Sequence, residues 1–575
     1  MYIIAQAKEL PEFLQKLCND KGEEEELRRE LNEYFYAELL ENAGENLLVR
    51  IGKRFEFGAI EEACRSFHRG EVGKRGQQAL YTSSHLSRAL LVKYLSNWSY
   101  ETTAQELKTN MVVRWFVGYP FYGATLSDTT LWRFEQWVKE NEPALIFTET
   151  LKQILEEFPE EREKVQVGDT FAMLAQVNAQ TRTEMLRMGS ERVLEYLRAV
   201  SEEAAEAVRF GVDREALFGS EKEKRECFLE KAERIAREEE TALATSGFLR
   251  LIYAQLGKIE LGNSIEHVAL SKWIGYLEKV LRDEFECHYA EEAREGEAPG
   301  RIVKMTLREK HVKGAYALGS MLDPEATFRN HGKRSDFCYN ISVAATDNFI
   351  FEIAAATGAT PDASGVPLLI TAQMAALGSV PAKLIYDQAA GMPKYIAEVA
   401  RVSENQTQLV VRLVNNAKNR KSYGPTDFTL GKHGELICPN GQISTSYSRS
   451  QSADGYKYRF SPEQCTDCPL LAKCRGENAN HKGRRTVFIS DYTVQQREAI
   501  AYSQTPQFEQ EMKWRAHIER IISGTVRYNG ARRARSRGTA AADFQAKMNA
   551  MAYNLKRWGV LTAQRDKAHK ARAPG

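Results

Sequence analysis

Asp169, Asp387 and Glu519 are the three carboxylates whose settings suggest chemistry in this 575-residue chain. Carboxylates are hard oxygen ligands and suit Mg²⁺, which keeps several of its waters, far better than thiolates do. Three acids at one site could hold two Mg²⁺ ions, or Mn²⁺, about 3.5–4 Å apart, and such a pair offsets the charge of a phosphodiester. One ion then activates the attacking oxygen and the other stabilises the leaving 3′ oxygen. A second constellation is Cys438 with Cys465, Cys468 and Cys474 in CTDCPLLAKC, four thiolates suited to a tetrahedral structural Zn²⁺. Free thiols are the alternative, and His433 or His481 could substitute for Cys438. A third is ARRARSRG (531–538), where Arg532, Arg533, Arg535 and Arg537 make the footprint of phosphate binding.

The period of the sequence changes where these residues fall. KVQVGDTFAML alternates Val165 and Val167 and then presents Asp169, the form of a strand ending in an acid. FCYNISVAATDNFIFEIAAATG (337–358) reads as a hairpin about Asp347-Asn348, and LLITAQMAAL as a helix. AKLIYDQAAGMPKYIAEVA gives a short buried strand with Asp387 at its end, then a helix with Pro393 in its first turn. Glu519 reads as helical, with Trp514, Ile518, Ile521 and Ile522 on the apolar side and Arg515 one turn earlier on its own face. Phe544, Met548, Met551, Leu555 and Trp558 mark a second helix. Strand–Asp, hairpin, helix, strand–Asp and helix–Glu is the order in which a ribonuclease-H-like sheet brings its acids together. Asp347, on a hairpin tip, ranks below Asp387 as second acid, and Asp362 ranks lower still.

Around this core, residues 86–138 read as a helical bundle, with Ser99 capping one helix and Ser127 or Asp128 another. Residues 181–300 read as an acidic helical insertion, 26 Asp/Glu against 18 Lys/Arg, with EKEKRECFLEKAERIAREEETALA as one long helix and strands resuming after Gly300. From Lys513 to Gly575 fifteen Lys/Arg face three Asp/Glu, a net of +12 in a chain of net +1. That polarity points to a nucleic-acid partner. No apolar run reaches the roughly 20 residues that cross a bilayer, and MYIIAQAKELPEFLQKL lacks the form of a secretory signal, so a cytoplasmic protein is expected. Nine scattered cysteines argue against a disulfide framework, and Cys18, Cys64, Cys227, Cys287 and Cys338 read as buried thiols.

The ordered set resembles the bacterial insertion-sequence DDE transposases of the cut-and-paste kind. NWSYETTAQELKTNMVVRWFVGY and LSDTTLWRF carry the likeness in the N-terminal half. VGDT, DPEA at Asp323, YNISVAATD, IYDQAAG, CTDCPLLAKC and RAHIERIISGTVRYNGARRARSRG…NAMAYNLKRW carry it beyond. The resemblance implies Asp169, Asp387 and Glu519 as the metal-binding triad and Arg515 as a DNA contact near the cleavage site. The family often has a Lys seven residues after the Glu; this chain has Val526, with Arg527 next as the stand-in. A Gly-Tyr turn usually follows the second acid, where this chain has Gln-Ala-Ala-Gly391. The expected fold is α/β, a ribonuclease-H-like mixed sheet with an all-α N-terminal domain, a helical insertion and a zinc-ribbon-like insertion. Its parts are residues 1–150 for DNA binding and dimerisation, a core from 160–180 and 301–402, a helical insertion at 181–300, a cysteine-rich insertion at 403–500, and C-terminal helices with a basic tail at 501–575. The implied activity is binding of terminal inverted repeats in double-stranded DNA by a homodimer, cleavage of the ends, and joining of the 3′ ends to target DNA. A transposase-derived regulator and a nuclease without strand transfer are the alternatives.

Overall fold

The computed structural model describes residues 21–68, 81–121, 123–220, 222–224, 228–259, 262, 264–290, 302–309, 317–413, 422–476 and 484–572. The N-terminal segment expected to lack a signal, Cys18, Cys227 and His481 lie outside these residues. Its centre is a mixed sheet built on β1 (Gln166–Leu174). After β1 come a small separate pair, β2 (Phe285–Tyr289) with β3 (Ile302–Leu307), and then β4 (Thr327–His331). The main sheet continues with β5 (Arg334–Ala345), β6 (Ile350–Thr357), β7 (Lys383–Ile385) and β8 (Gln408–Val410). Its order is β4-β5-β1-β7-β8, and β6 also pairs with β5. β5 runs antiparallel to β1 and β6, as a hairpin allows. β7 and β8 run parallel to β1 and need a crossover, which the helix Pro393–Val402 supplies between them. Leu384 and Ile385 are both fully buried, as expected of a strand covered on both faces.

One continuous apolar core joins the N-terminal helices, the sheet and the final helix, Thr539–Arg572. That helix buries Phe544, Met548, Met551, Leu555 and Trp558, as their spacing predicts. It also completes the outer edge of β6. Asp543 accepts the Ala355 N–H (2.9 Å), and Lys547 donates to the Ile353 carbonyl (3.0 Å). Asn554 both accepts the Ile350 N–H and donates to its carbonyl, each at 2.8 Å. A strand edge that would otherwise be open is thereby satisfied by side chains. Ser99 and Ser127 cap their helices by accepting the N–H of Thr102 (3.0 Å) and Thr130 (3.2 Å).

The insertion has its own core, in which helices Arg182–Val200, Lys231–Leu256 and Ile265–Glu284 bring Leu186, Val193, Phe248 and Leu277 together. Its long charged helix starts at Lys231, later than the charge pattern suggests, and strand pairing resumes at Phe285, earlier than expected after Gly300. The cysteine-rich segment packs Phe428, Leu436, Tyr458, Phe460, Val487 and Ile489 beneath β9 (Thr429–Leu430), β10 (Leu436–Ile437), β11 (Ser446–Arg449), β12 (Gly455–Phe460) and β13 (Arg485–Ser490).

Replacing Asn554 by Leu keeps the branched shape but leaves the Ile350 N–H and carbonyl unpaired in a buried place. The expected loss is about 2–4 kcal/mol of stability, read as a lower midpoint in thermal or denaturant unfolding.

Candidate active site

Asp169 is the fourth residue of β1 rather than its last, because the strand runs on to Leu174 against β5. The parallel register of β1 and β7 sets Val167 beside Ile385. Two residues further along both chains, on the same faces, stand Asp169 and Asp387. Between them, Gly168 faces the fully buried ring of Tyr386. A Cβ on Gly168 would lie 2.7 Å from two Tyr386 ring carbons and 3.1 Å from the Val343 carbonyl oxygen. The small residue beside the acid is thus a packing requirement. Asp387 caps the short turn that follows it, accepting the Ala389 N–H at 3.0 Å.

Arg515 reaches this pair, its Nη2 lying 3.4 Å from Asp169 Oδ2. The chain is kinked there. Helices Pro506–Lys513 and Ala516–Tyr528 are separated at Trp514-Arg515, where tight bonds such as Trp514 N–H to Glu511 O (2.9 Å) and His517 N–H to Trp514 O (2.9 Å) replace regular helical ones. The single helix expected from the apolar spacing is therefore two, and Trp514 lies on the surface against His517 rather than in the core. Lys383 on β7 fixes the approach by bonding Glu511 (2.6 Å) and the Tyr502 hydroxyl (2.9 Å). Ile518 and Ile521 are buried, while Glu519 is exposed one turn after Arg515.

Burial pushes the Asp169 carboxyl up from its usual range; the Thr170 N–H and Arg515 oppose this, and Asp387 and Asp362 add to it. Burial, with the same three acids, holds the Tyr386 phenol well above its usual value, so the ring stays neutral. Asp362, ranked low from the sequence, therefore belongs to the same electrostatic neighbourhood. Asp347 does not: it pairs with Lys164 (2.7 Å), and its carbonyl accepts from Arg520 (2.8 Å). The two acids are hard donors in a place of concentrated negative charge, with the Arg515 guanidinium at Asp169 and that of Arg329 at Thr170 and Asp362, which fits a hydrated divalent cation. Among the described residues, no three His, Cys, Asp or Glu side chains stand close enough to share an ion.

The basic run splits by environment. Residues 532–534 extend the sheet at the end of β1, with the Leu174 N–H bonding Arg532 O (3.1 Å) and the Ala534 N–H bonding Leu174 O (2.8 Å). Arg532, Arg533, Arg537 and Arg527 are exposed. Arg535 instead lies over the Tyr94 ring at 5.0 Å and bonds the Asn97 side chain. Asp323 receives the Tyr339 hydroxyl (2.6 Å) and the Gly538 N–H (3.3 Å), anchoring the start of the last helix. Neither anchor carries a signal that spacing could reveal.

Cys438, Cys465, Cys468 and Cys474 line one cavity of about 30 Å³ with Phe428, Phe460 and Arg485. The Gln442 N–H points at Cys438 Sγ (3.3 Å). His433 is not among the residues lining this cavity. Cys64 and Cys338 are buried, their thiols pushed by burial up to about 12 and about 11, while Cys287 is only half-buried rather than buried as expected.

Two family profiles match the chain: Transposase DDE domain over residues 437–558, and Transposase domain (DUF772) over residues 36–137. Both matches support an insertion-sequence DDE transposase. The first match spans all four clustered cysteines, Arg515, Glu519 and the basic run; the second spans the N-terminal helices around Ser99 and Ser127. No curated protein and no solved structure matches the chain significantly. No helix among the described residues is long and apolar enough to cross a membrane.

In Gly168→Ala the new methyl group meets the Tyr386 ring, with an expected loss of about 1–3 kcal/mol in chemical denaturation. Tyr386→Leu in the same chain should recover part of that loss, which a double-mutant cycle measures.

Proposed function

We propose that this transposase binds the terminal inverted repeats of its element in double-stranded DNA, cleaves the ends and joins the 3′ ends to target DNA. The placing of Asp169 beside Asp387 at adjacent strands, with Arg515 at Asp169, is the observation that carries this reading. Two carboxylates with waters and a substrate phosphate are a usual setting for Mg²⁺. Asp169 and Asp387 would hold the cation, Mg²⁺ or Mn²⁺ and two ions in the full site, and Glu519 would have to draw in to serve as the third acid. When bound, the ions would activate the attacking oxygen and offset charge on the phosphate. Arg515 orients the DNA next to Asp169. Arg527, Arg532, Arg533 and Arg537 contact flanking phosphates, and Arg535 holds the strap between them.

The sheet order supports a ribonuclease-H-like core: an antiparallel hairpin on one flank of β1, parallel strands on the other. The core comprises 160–180, 301–402 and the C-terminal helices of 501–575, with 181–300 and 403–500 as insertions and 1–150 as the DNA-binding and dimerising part. Cys438, Cys465, Cys468 and Cys474 would hold a structural Zn²⁺ by closing in around the cavity they share, where an N–H is already aimed at sulfur. A homodimer on paired ends completes the arrangement.

The deciding test is Mg²⁺-dependent cleavage of a DNA fragment bearing the element's own ends. Wild type cuts it, while Asp387→Ala and Glu519→Gln bind the ends but cut at least about 100-fold more slowly, since a ligand should matter no less than its outer-shell partners. End binding by wild type without cleavage would instead mark a regulator, and cleavage without joining of pre-cut ends a nuclease.

The purified chain should carry one zinc per molecule by elemental analysis. Cys465→Ser should lose it and expose the 422–490 segment to protease; a zinc-free but protease-resistant wild type would overturn the zinc assignment.

A further inference from the structure

Asp362 follows β6 in a short turn just before the helix Gly365–Leu377, and its contacts reach both acid-bearing strands. Its carboxylate accepts from Arg329 Nη2 (3.1 and 3.2 Å) and from Asn340 Nδ2 (2.7 Å). The same Arg329 nitrogen donates to Thr170 Oγ1 (2.8 Å), the residue next to Asp169. On the other side, the Asp362 carbonyl accepts the Tyr386 hydroxyl (3.4 Å), and Tyr386 precedes Asp387. Asn340, on β5, is almost fully buried and also donates to Thr360 O (2.9 Å), so the turn is tied to the sheet independently.

We infer that Asp362 is a positioning residue of the acid site, aligning β1 through Arg329 and Thr170 and β7 through Tyr386, so that Asp169 and Asp387 face one cation. The inference rests on the reading that those two acids hold the metal. Arg329 has two effects here. It neutralises a third acid that would otherwise crowd the site, and it couples that acid to Thr170. The general expectation for groups that orient ligands is that their loss weakens metal binding about 10–100-fold.

The two effects of Arg329 predict opposite signs, which makes the experiment decisive. If charge alone mattered, removing the cationic Arg329 would strengthen binding of a metal ion. If positioning matters, removing it weakens binding. Mn²⁺ affinity is measured on the full chain by electron paramagnetic resonance, with thermal unfolding of each variant alongside. Wild type binds Mn²⁺ and Asp169→Asn does not. Arg329→Met and Asp362→Ala each weaken binding about 10-fold, the double variant is no worse than either single one, and Asp362→Asn falls between. Arg329→Met keeps the Asp362 carbonyl in place, so it serves as the test if Asp362→Ala does not fold. Unchanged or tighter Mn²⁺ binding in Arg329→Met overturns the inference. So does complete loss in Asp362→Ala with wild-type binding in Arg329→Met, which would make Asp362 a ligand. A wild type that binds no Mn²⁺ overturns the metal-site reading itself, and the positioning role with it.

Discussion

The parallel register between β1 and β7 is the constraint on which the site depends. Pairing of Val167 with Ile385 obliges the next same-face residues, Asp169 and Asp387, to emerge side by side. A slip of one residue would turn one of the two carboxylates into the opposite face. Against such a slip stands the packing of Tyr386 on Gly168, a large ring fitted where any Cβ would collide. Burial, with the negative charge gathered there, raises the cost of keeping Asp169 ionised, and the Thr170 N–H and Arg515 offset it. An acid pair held under that tension favours whatever cation can enter.

The elements around the pair act as struts of different lengths. Lys383 ties the late helices to the strand that leads to Asp387, and the kink at Trp514 then directs Arg515 inward. Arg535 and Asp323 secure the basic strap at its two ends, one against the N-terminal helices and the other beside β5. The N-terminal bundle therefore touches the sheet-bearing half through the basic run as well as through the shared core. Inside it, the buried Lys93–Glu135 pair (2.8 Å) lies close to Tyr94, the ring under Arg535.

Elements with a strong period were legible in the sequence. The hairpin about Asp347, the strand before Asp387, the serine caps and the apolar face of the final helix all follow from local patterns. What the sequence could not display was interaction between distant residues. Asp362 ranked low because its partners, Arg329, Asn340 and Tyr386, come from three other segments. Arg535 looked identical to its neighbours in ARRARSRG, and only the position of Tyr94 turns it inward. The kink at Trp514 escaped because its apolar spacing continues through it, while Lys383 and Asp169 pull on residues either side. Sequence pattern reports which face is apolar; it does not report where charges from elsewhere will attach.

The edge of β6 is closed by Asp543, Lys547 and Asn554, which lie 188 to 204 residues downstream of their partners. During synthesis from the N-terminus, at about 5–20 residues per second, that edge waits on the order of 10–40 s for its partners. The hairpin beside Asp169 thus cannot reach its final hydrogen bonding while the helix is still being made. The sheet that carries Asp169 is completed only after the basic segment proposed to grip DNA has been made. The architecture makes ribosomal progress a timer on the enzyme.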